Sequence, residues 1–322
     1  MASGARPPVV CAGIVVADVF VPPLERLPEA GELVTTDDFV VETGGCAANA
    51  AIALARLGVR AAVVAKVGDD HFGAFVEDEL SAAGLDVTGI RRVAGLGTSK
   101  TVIISVSGED RRFIHTFGAN AALCAADLVP ALAAAPDVLY IGGFLVLPAL
   151  QQDELAAQLR LARQAGTRVV FDVVAPADRT LSLDDVAGVL PEVDYFVPND
   201  DEAAALTGER DPRRQAERLL ELGARTVIIT LGERGLIAVN REETFELPAP
   251  HVDFVEPSGA GDAFAAGLVY GLLQGWPLRR LLEFASVIGA SACTHLGCTA
   301  GLLTRAEADA ILESHAPCPS PR

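Results

Sequence analysis

Apolar and polar positions along the chain follow two alternating periods. Short aliphatic runs bounded by glycine or an acid occur at Val9–Val16, Ala62–Val67, Val138–Ile141, Val169–Asp172, Tyr195–Pro198, Thr226–Thr230 and Gly235–Val239, and each has the length of a strand. Between them, Ala47–Leu57, Phe72–Ala83, Gln151–Ala165, Asp200–Leu206 and Pro212–Leu222 carry the Ala- and Leu-rich spacing of helices. Gly58, Gly84, Gly166, Gly208 and Gly223 close those helices, where a left-handed terminal residue costs glycine little. Strands this apolar need both faces covered, so the alternation predicts an α/β fold with helices on either side of a mainly parallel sheet.

Two stretches break the rhythm. Gly31–Glu42 and roughly Thr98–Phe117 hold alternating β-branched residues with no helix between, Lys100-Thr101-Val102-Ile103-Ile104-Ser105-Val106 being the clearest. They predict a hairpin-rich appendage. No internal repeat or low-complexity linker divides the chain, and only Pro317–Arg322 has the composition of a frayed end. One domain spanning 1–322 is the expectation.

Composition narrows the class. With 322 residues and 51% hydrophobic content the chain can bury a large core. A formal net charge of −18, with Lys66 and Lys100 as its two lysines, argues against a nucleic-acid partner, which calls for clustered basic residues. Cys11, Cys46, Cys124, Cys293, Cys298 and Cys318 are scattered, without a CxxC pair or a dense framework, which fits reduced thiols in the cytoplasm. The apolar run before Asp18 is too short for a signal peptide or a membrane span, so neither targeting nor a membrane is expected.

The most informative local pattern is Pro257-Ser258-Gly259-Ala260-Gly261-Asp262-Ala263-Phe264, a small-residue turn running into a helix over Ala263–Leu273. Glycines allow backbone N–H groups to face a ligand, and a helix N-terminus adds roughly +0.5 of an elementary charge, so an anion is the expected guest. Asp262 in that place is either an N-cap carboxylate or a reactive group. Gly44-Gly45 before Ala47–Leu57 makes a second such turn, with Asn49 offering both a donor and an acceptor. Asp18 follows the first strand, at the carboxyl edge where open α/β sheets bind ligands. Asn199 and Glu202, three apart at a helix start, suit either a capping box or the holding of a hydrated Mg²⁺. Thr230, Gly232 and Gly235 form a turn after a strand, and the helix around Leu281–Thr294 is apolar enough to wall a ligand or simply to pack. No P-loop, dinucleotide fingerprint, zinc helix or nucleophile elbow is present in the sequence.

Gly259-Ala260-Gly261-Asp262 resembles the second signature of the ribokinase-like (PfkB) carbohydrate kinase family. The other segments resemble that family's parts in the same order, Asp18 and Gly44-Gly45-Cys46-Ala47-Ala48-Asn49 first, then Pro198-Asn199-Asp200-Asp201-Glu202 and Thr230-Leu231-Gly232-Glu233-Arg234-Gly235. The resemblance covers residues 9–313. It implies a three-layer α/β/α core with a small β-sheet lid, expected at about 14–42 and 95–118. It further implies transfer of the ATP γ-phosphate to a hydroxyl of a small sugar or sugar derivative. In that reading Asp262 is the general base and Gly259, Ala260 and Gly261 complete the anion hole. Asp18, Gly44, Gly45 and Asn49 would hold the acceptor, Asn199, Glu202, Thr230, Gly232 and Gly235 the nucleotide, and Glu202 a Mg²⁺ through water. A lid-paired homodimer is implied as well.

The chain also departs from the family. Val16 stands where ribokinase members carry a sugar-contacting Asn, and Cys46 replaces the Lys of their Gly-Gly-Lys signature. A mid-chain glutamate that reaches the sugar has no counterpart near Ile141-Gly142-Gly143-Phe144. A nucleoside kinase of the same fold is therefore the alternative, with a catalytically silent sugar or nucleotide sensor behind it. Glu256 replaces the Asp of a monovalent-cation site, leaving K⁺ as a candidate activator. The helix terminus is expected to keep Asp262 ionised by lowering its pKa.

Overall fold

The fold is described here from a computed structural model for residues 6–109 and 112–314; Pro317–Arg322 and Cys318 lie outside that range. From the N-terminus the chain forms β1 (Val9–Gly13), β2 (Val16–Leu24), β3 (Val40–Gly44), α1 (Cys46–Arg56), β4 (Ala61–Gly68), α2 (His71–Ala82) and β5 (Asp86–Val93). Next come β6 (Lys100–Val106), β7 (Arg112–Thr116), α3 (Ala125–Leu132), β8 (Val138–Gly142), α4 (Gln152–Gln164) and β9 (Arg168–Phe171). The short α5 (Asp184–Ala187) leads to β10 (Tyr195–Phe196), α6 (Asp200–Thr207), α7 (Pro212–Glu221), β11 (Thr226–Thr230), β12 (Leu236–Asn240) and β13 (Thr244–Leu247). Three helices finish the fold, α8 (Ala260–Leu273), α9 (Leu278–Ala292) and α10 (Arg305–Ser314).

Nine strands make one sheet in the order β13-β12-β11-β10-β9-β8-β1-β4-β5. Pairing is parallel from β5 to β11 and antiparallel for β12 and β13. Side chains alternate between two cores. Val9, Cys11, Val63, Ala65 and Val67 pack with α1, α8 and α9, while Val10, Ala12, Ala62 and Val64 pack with α3 and α4. Each fully buried leucine of these cores, Leu54 and Leu159 among them, contributes about 1.5–3 kcal/mol. α8 is buried nearly all round, and glycines let it approach α9: a Cβ on Gly267 would sit 2.7 Å from the Ala285 Cα. All five predicted helix-closing glycines have positive φ.

The sequence of strands leaves β1 in two directions, to β4 and β5 on one side and to β8 and beyond on the other. That reversal opens a crevice at the carboxyl ends of β1 and β8.

The first predicted strand, Val9–Val16, is two strands. After Gly13 the chain leaves the large sheet and enters a second one, ordered β3-β2-β6-β7. Asn120 holds the crossing, its Nδ2 donating to the Val15 carbonyl at 2.8 Å and its Oδ1 accepting from the Val15 N–H at 3.3 Å. Asp18 consequently lies inside β2, away from the end of a core strand. β5 and β13 escape the hydrophobic pattern because they are half polar, and α3 and α10 are not among the predicted helices.

Candidate active site

The turn before α8 meets the crevice at β1 and β8. Gly259 is the N-cap, with φ +76°, and a Cβ there would come within 2.5 Å of the Cys298 carbonyl oxygen. Only glycine accepts both constraints. A Cβ on Gly261, by contrast, would meet nothing within 4 Å, so this face of the turn opens on free space next to the helix N-terminus.

Asp262 is the third residue of α8 and does not cap it. Its carboxylate turns inward, 9% exposed, and accepts from the Asn49 amide at 2.8 Å and from the Tyr140 hydroxyl at 3.4 Å. Cys46 is a third donor. Two glycine-rich turns separated by 213 residues are thereby joined at one carboxylate. Burial raises the Asp262 pKa above the ordinary carboxylate range despite these donors, opposite to the direction expected from the helix terminus. The magnitudes explain the reversal: a charge at a helix end gains about 0.3–1 kcal/mol, whereas desolvating a carboxylate costs several.

Gly44 and Gly45 have different structural reasons. A Cβ on Gly44 would lie 1.9 Å from Asp18 Oδ2, while Gly45 has φ +91° and a Cβ on it would lie 2.6 Å from the Ile14 carbonyl oxygen. Asp18 belongs to a row across the small sheet, in which it pairs with Glu42 on one side and Thr101 on the other, and Thr101 pairs with His115. Side chains of one such row share a face. Thr101 hydrogen-bonds to Asp18, and its Oγ1 lies 3.0 Å from His115 Nδ1. Burial pushes the Asp18 carboxyl up to about 6, and the nearby Glu42 and Asp262 charges add to the rise.

Asn199 and Glu202 form a reciprocal capping box at the start of α6, each side chain accepting from the other's N–H at 2.9 Å. The Glu202 carboxyl is still pushed up to about 7, by burial first and then by Asp262 and Asp201. Thr230 bridges Asn199 between neighbouring strand ends. Gly232 and Gly235 have positive φ in the following turn, whose Arg234 pairs with Asp200. Glu256 is buried and accepts from the Ser258 N–H at 3.2 Å.

Several residues at the centre carry no motif. Tyr140 is fully buried in β8, and its hydroxyl also lies 3.1 Å from Asp172 Oδ2, just beyond β9. The Cys46 thiol and an oxygen from each of Asp172 and Asp262 lie within 4.8 Å of one another. The available sequence signal was a lone polar group inside or ending an apolar run, which Tyr140 and Asp172 both are. Burial is the largest cause of the rise at Asp18, Glu42, Asp172, Glu202 and Asp262, and neighbouring carboxylates add to it at all but Asp262.

Comparison with known proteins finds carbohydrate kinases. The ribokinase of Mus musculus is 32% identical over 278 residues, 82% of each chain. The 5-dehydro-2-deoxygluconokinase of Clostridium perfringens is 28% identical over 273 residues, 81% of each chain. A solved Escherichia coli chain assigned to ribokinase II, in complex with ATP and Mg²⁺, shares the fold with a TM-score of 0.82 at 23% identity, across 95% of this chain and 99% of that one. The pattern of the pfkB family carbohydrate kinases matches residues 7–305, from the entry to the first core strand to the first residue of the last helix, and the chain belongs to that family of alcohol-group phosphotransferases.

Proposed function

We propose that the protein transfers the γ-phosphate of ATP to a hydroxyl of a small, uncharged or amine-bearing sugar, with Asp262 as general base. The observation carrying this reading is the 2.8 Å hydrogen bond from Asn49 to Asp262, which unites the acceptor-side turn with the anion-side turn. Phosphoryl transfer proceeds through a loose transition state, so positioning and charge neutralisation outweigh base strength. N–H groups of Gly261 and Asp262 face the transferring phosphoryl group from the helix N-terminus, in the open space beside Gly261, whereas the Ala260 N–H donates to the Pro257 carbonyl at 3.2 Å and shapes the turn. Asp262 takes the proton of the attacking hydroxyl. Asp18, Gly44, Gly45 and Asn49 hold the acceptor, its hydroxyls donating to Asp18 and to the Asn49 carbonyl oxygen, which is buried without a partner.

A surplus of buried acid fits a Mg²⁺ requirement. Glu202, raised by burial and neighbouring carboxylates, is placed to hold a hydrated Mg²⁺ through water, with Asn199 beside it. Mg²⁺ when bound supplies the positive charge that these side chains lack. The ATP and Mg²⁺ of the Escherichia coli complex support this reading, and the nucleotide then lies along Asn199, Thr230, Gly232 and Gly235. Glu256 is assigned to a monovalent cation such as K⁺, tested by comparing activity in K⁺ and Na⁺.

The same acids define the acceptor's charge. Asp18 and Glu42 stand side by side on the small sheet and repel a phosphate or carboxylate. An ADP-release screen tests the reading by pairing neutral and amino sugars with their phosphorylated and acid forms, wild type beside Asp262→Asn. ADP release that needs Asp262 and prefers the neutral or amino form is expected; preference for an anionic form overturns the acceptor assignment.

Two further assignments follow from surfaces. Val41, Val19, Val102 and Ile114 form the opposite, apolar face of the small sheet, with Val41 and Ile114 exposed, and we assign it to a homodimer contact. Among the described residues no helix is long and apolar enough to cross a membrane. The cysteines in this range are free, which supports a cytoplasmic setting.

A further inference from the structure

The buried centre holds two carboxylates and one hydroxyl whose protons can be counted. Tyr140 has a single hydroxyl proton, yet its oxygen lies 3.1 Å from Asp172 Oδ2 and 3.4 Å from Asp262 Oδ1. It cannot donate to both at once. Asp262 already receives the Asn49 amide and the Cys46 thiol, whereas among the described residues the donor to Asp172 besides Tyr140 is the Val173 N–H, at 2.8 Å and on its other oxygen, Oδ1. Negative charge therefore belongs on Asp262, and the remaining proton belongs on Asp172 Oδ2, facing the Tyr140 oxygen.

We infer that Tyr140 is a positioning residue: protonated Asp172 donates to the Tyr140 oxygen, and Tyr140 donates to Asp262, holding the base ionised and aimed at the acceptor. This builds on the assignment of Asp262 as the base. No bond to substrate is made by either residue, and neither gains nor loses a proton in the reaction. Asp172 and Asp262 are both buried, and burial followed by the Glu202 and Asp262 charges pushes Asp172 well above the ordinary carboxylate range. The other titratable groups that face the pair are Cys46 from α1, Asp18 from β2, Glu202 from α6 and Cys298 from the loop beyond α9. None is basic. The fold reserves space for this chain of donors: a Cβ on Gly142 would sit 2.9 Å from the Tyr140 hydroxyl and 2.6 Å from the Cys46 Cβ.

The test compares Tyr140→Phe, Asp172→Asn and Asp172→Ala in the full chain, each checked by circular dichroism. An asparagine amide can donate to Tyr140 as a protonated carboxyl does, so Asp172→Asn is expected to retain kcat within a few-fold. Tyr140→Phe and Asp172→Ala are expected to lower kcat about tenfold with the KM for ATP unchanged. Loss of a donor raises the Asp262 pKa, so Tyr140→Phe should move the acid limb of kcat/KM upward by about one pH unit. Infrared spectroscopy supplies a readout independent of turnover: a protonated-carboxyl stretch, recorded at a pH well above the range in which Asp18 and Glu202 titrate, that is lost in Asp172→Asn. Equal damage from Asp172→Asn and Asp172→Ala, or absence of that stretch from the wild type, overturns the proposal. An active Asp262→Asn enzyme that keeps the stretch would instead remove the base assignment and leave the proton placement standing.

Discussion

The two halves of the site are built from opposite kinds of structure. On the anion side, Gly259 and Asp262 sit on α8, a helix buried nearly all round between α1 and α9. On the acceptor side, Asp18, Glu42, Thr101 and His115 lie on a four-stranded sheet whose other face is apolar and, at Val41 and Ile114, exposed. A helix locked in a core gives a reacting carboxylate one position, while a thin sheet lets acceptor contacts change by single residues without disturbing that core. In the proposed reading the large sheet and its helices carry what phosphoryl transfer needs, and the small sheet carries what the acceptor needs.

Substitutions on each side should separate these roles. The largest effect is expected on the core side, where Asp262→Asn lowers kcat by about 10²–10⁴ while ATP binding by calorimetry is retained. Near-normal turnover would break the comparison at its root. On the sheet side, Gly44→Ala places a Cβ 1.9 Å from Asp18 Oδ2, so the acceptor KM should rise about tenfold with little change in the KM for ATP. A parallel rise in both would show that the two halves are not separable.

Stability should also distinguish them, more mildly. Asp18 at about 6 and Asp172 well above its ordinary range hold protons more tightly when folded than when unfolded. Folding then favours the protonated forms, so the contribution of these two groups to stability is greatest near or below the unfolded carboxylate pKa of about 4 and falls as pH rises through 6. Asp18→Asn should flatten that fall in thermal unfolding; an unchanged slope would remove Asp18 as its source. The smallest catalytic effect belongs to Ile114→Lys on the apolar face. It should yield a monomer by light scattering with kcat within about threefold of wild type, and an unchanged dimer would place the interface elsewhere.

The alternation of apolar strands and helices was enough to specify an α/β core, because strands buried on both faces read as continuous apolar runs and the helices between them supply the cover. The glycine turns were legible for a related reason. Gly259 and Gly45 need positive φ, a backbone demand that sequence records as glycine. Asn199 and Glu202 were legible as a pair, although their spacing admitted two readings and the structure shows the capping box directly.

Burial decided what the motifs left open. Asp262 had the sequence of a helix cap, but its place inside the protein turned the carboxylate toward Asn49, Cys46 and Tyr140 and reversed the expected pKa direction. Asp18 had the sequence of a strand end and became one member of a row on another sheet, since the chain crosses between sheets after Gly13. Tyr140 and Asp172 lay in or beside apolar runs, and their meaning arose only when β8 and β9 set them beside α8. Sequence determines where the backbone must turn and which faces must be dry, because those constraints are local. Which carboxylate holds the proton depends on solvent and on partners more than a hundred residues away, and only the tertiary structure brings these together.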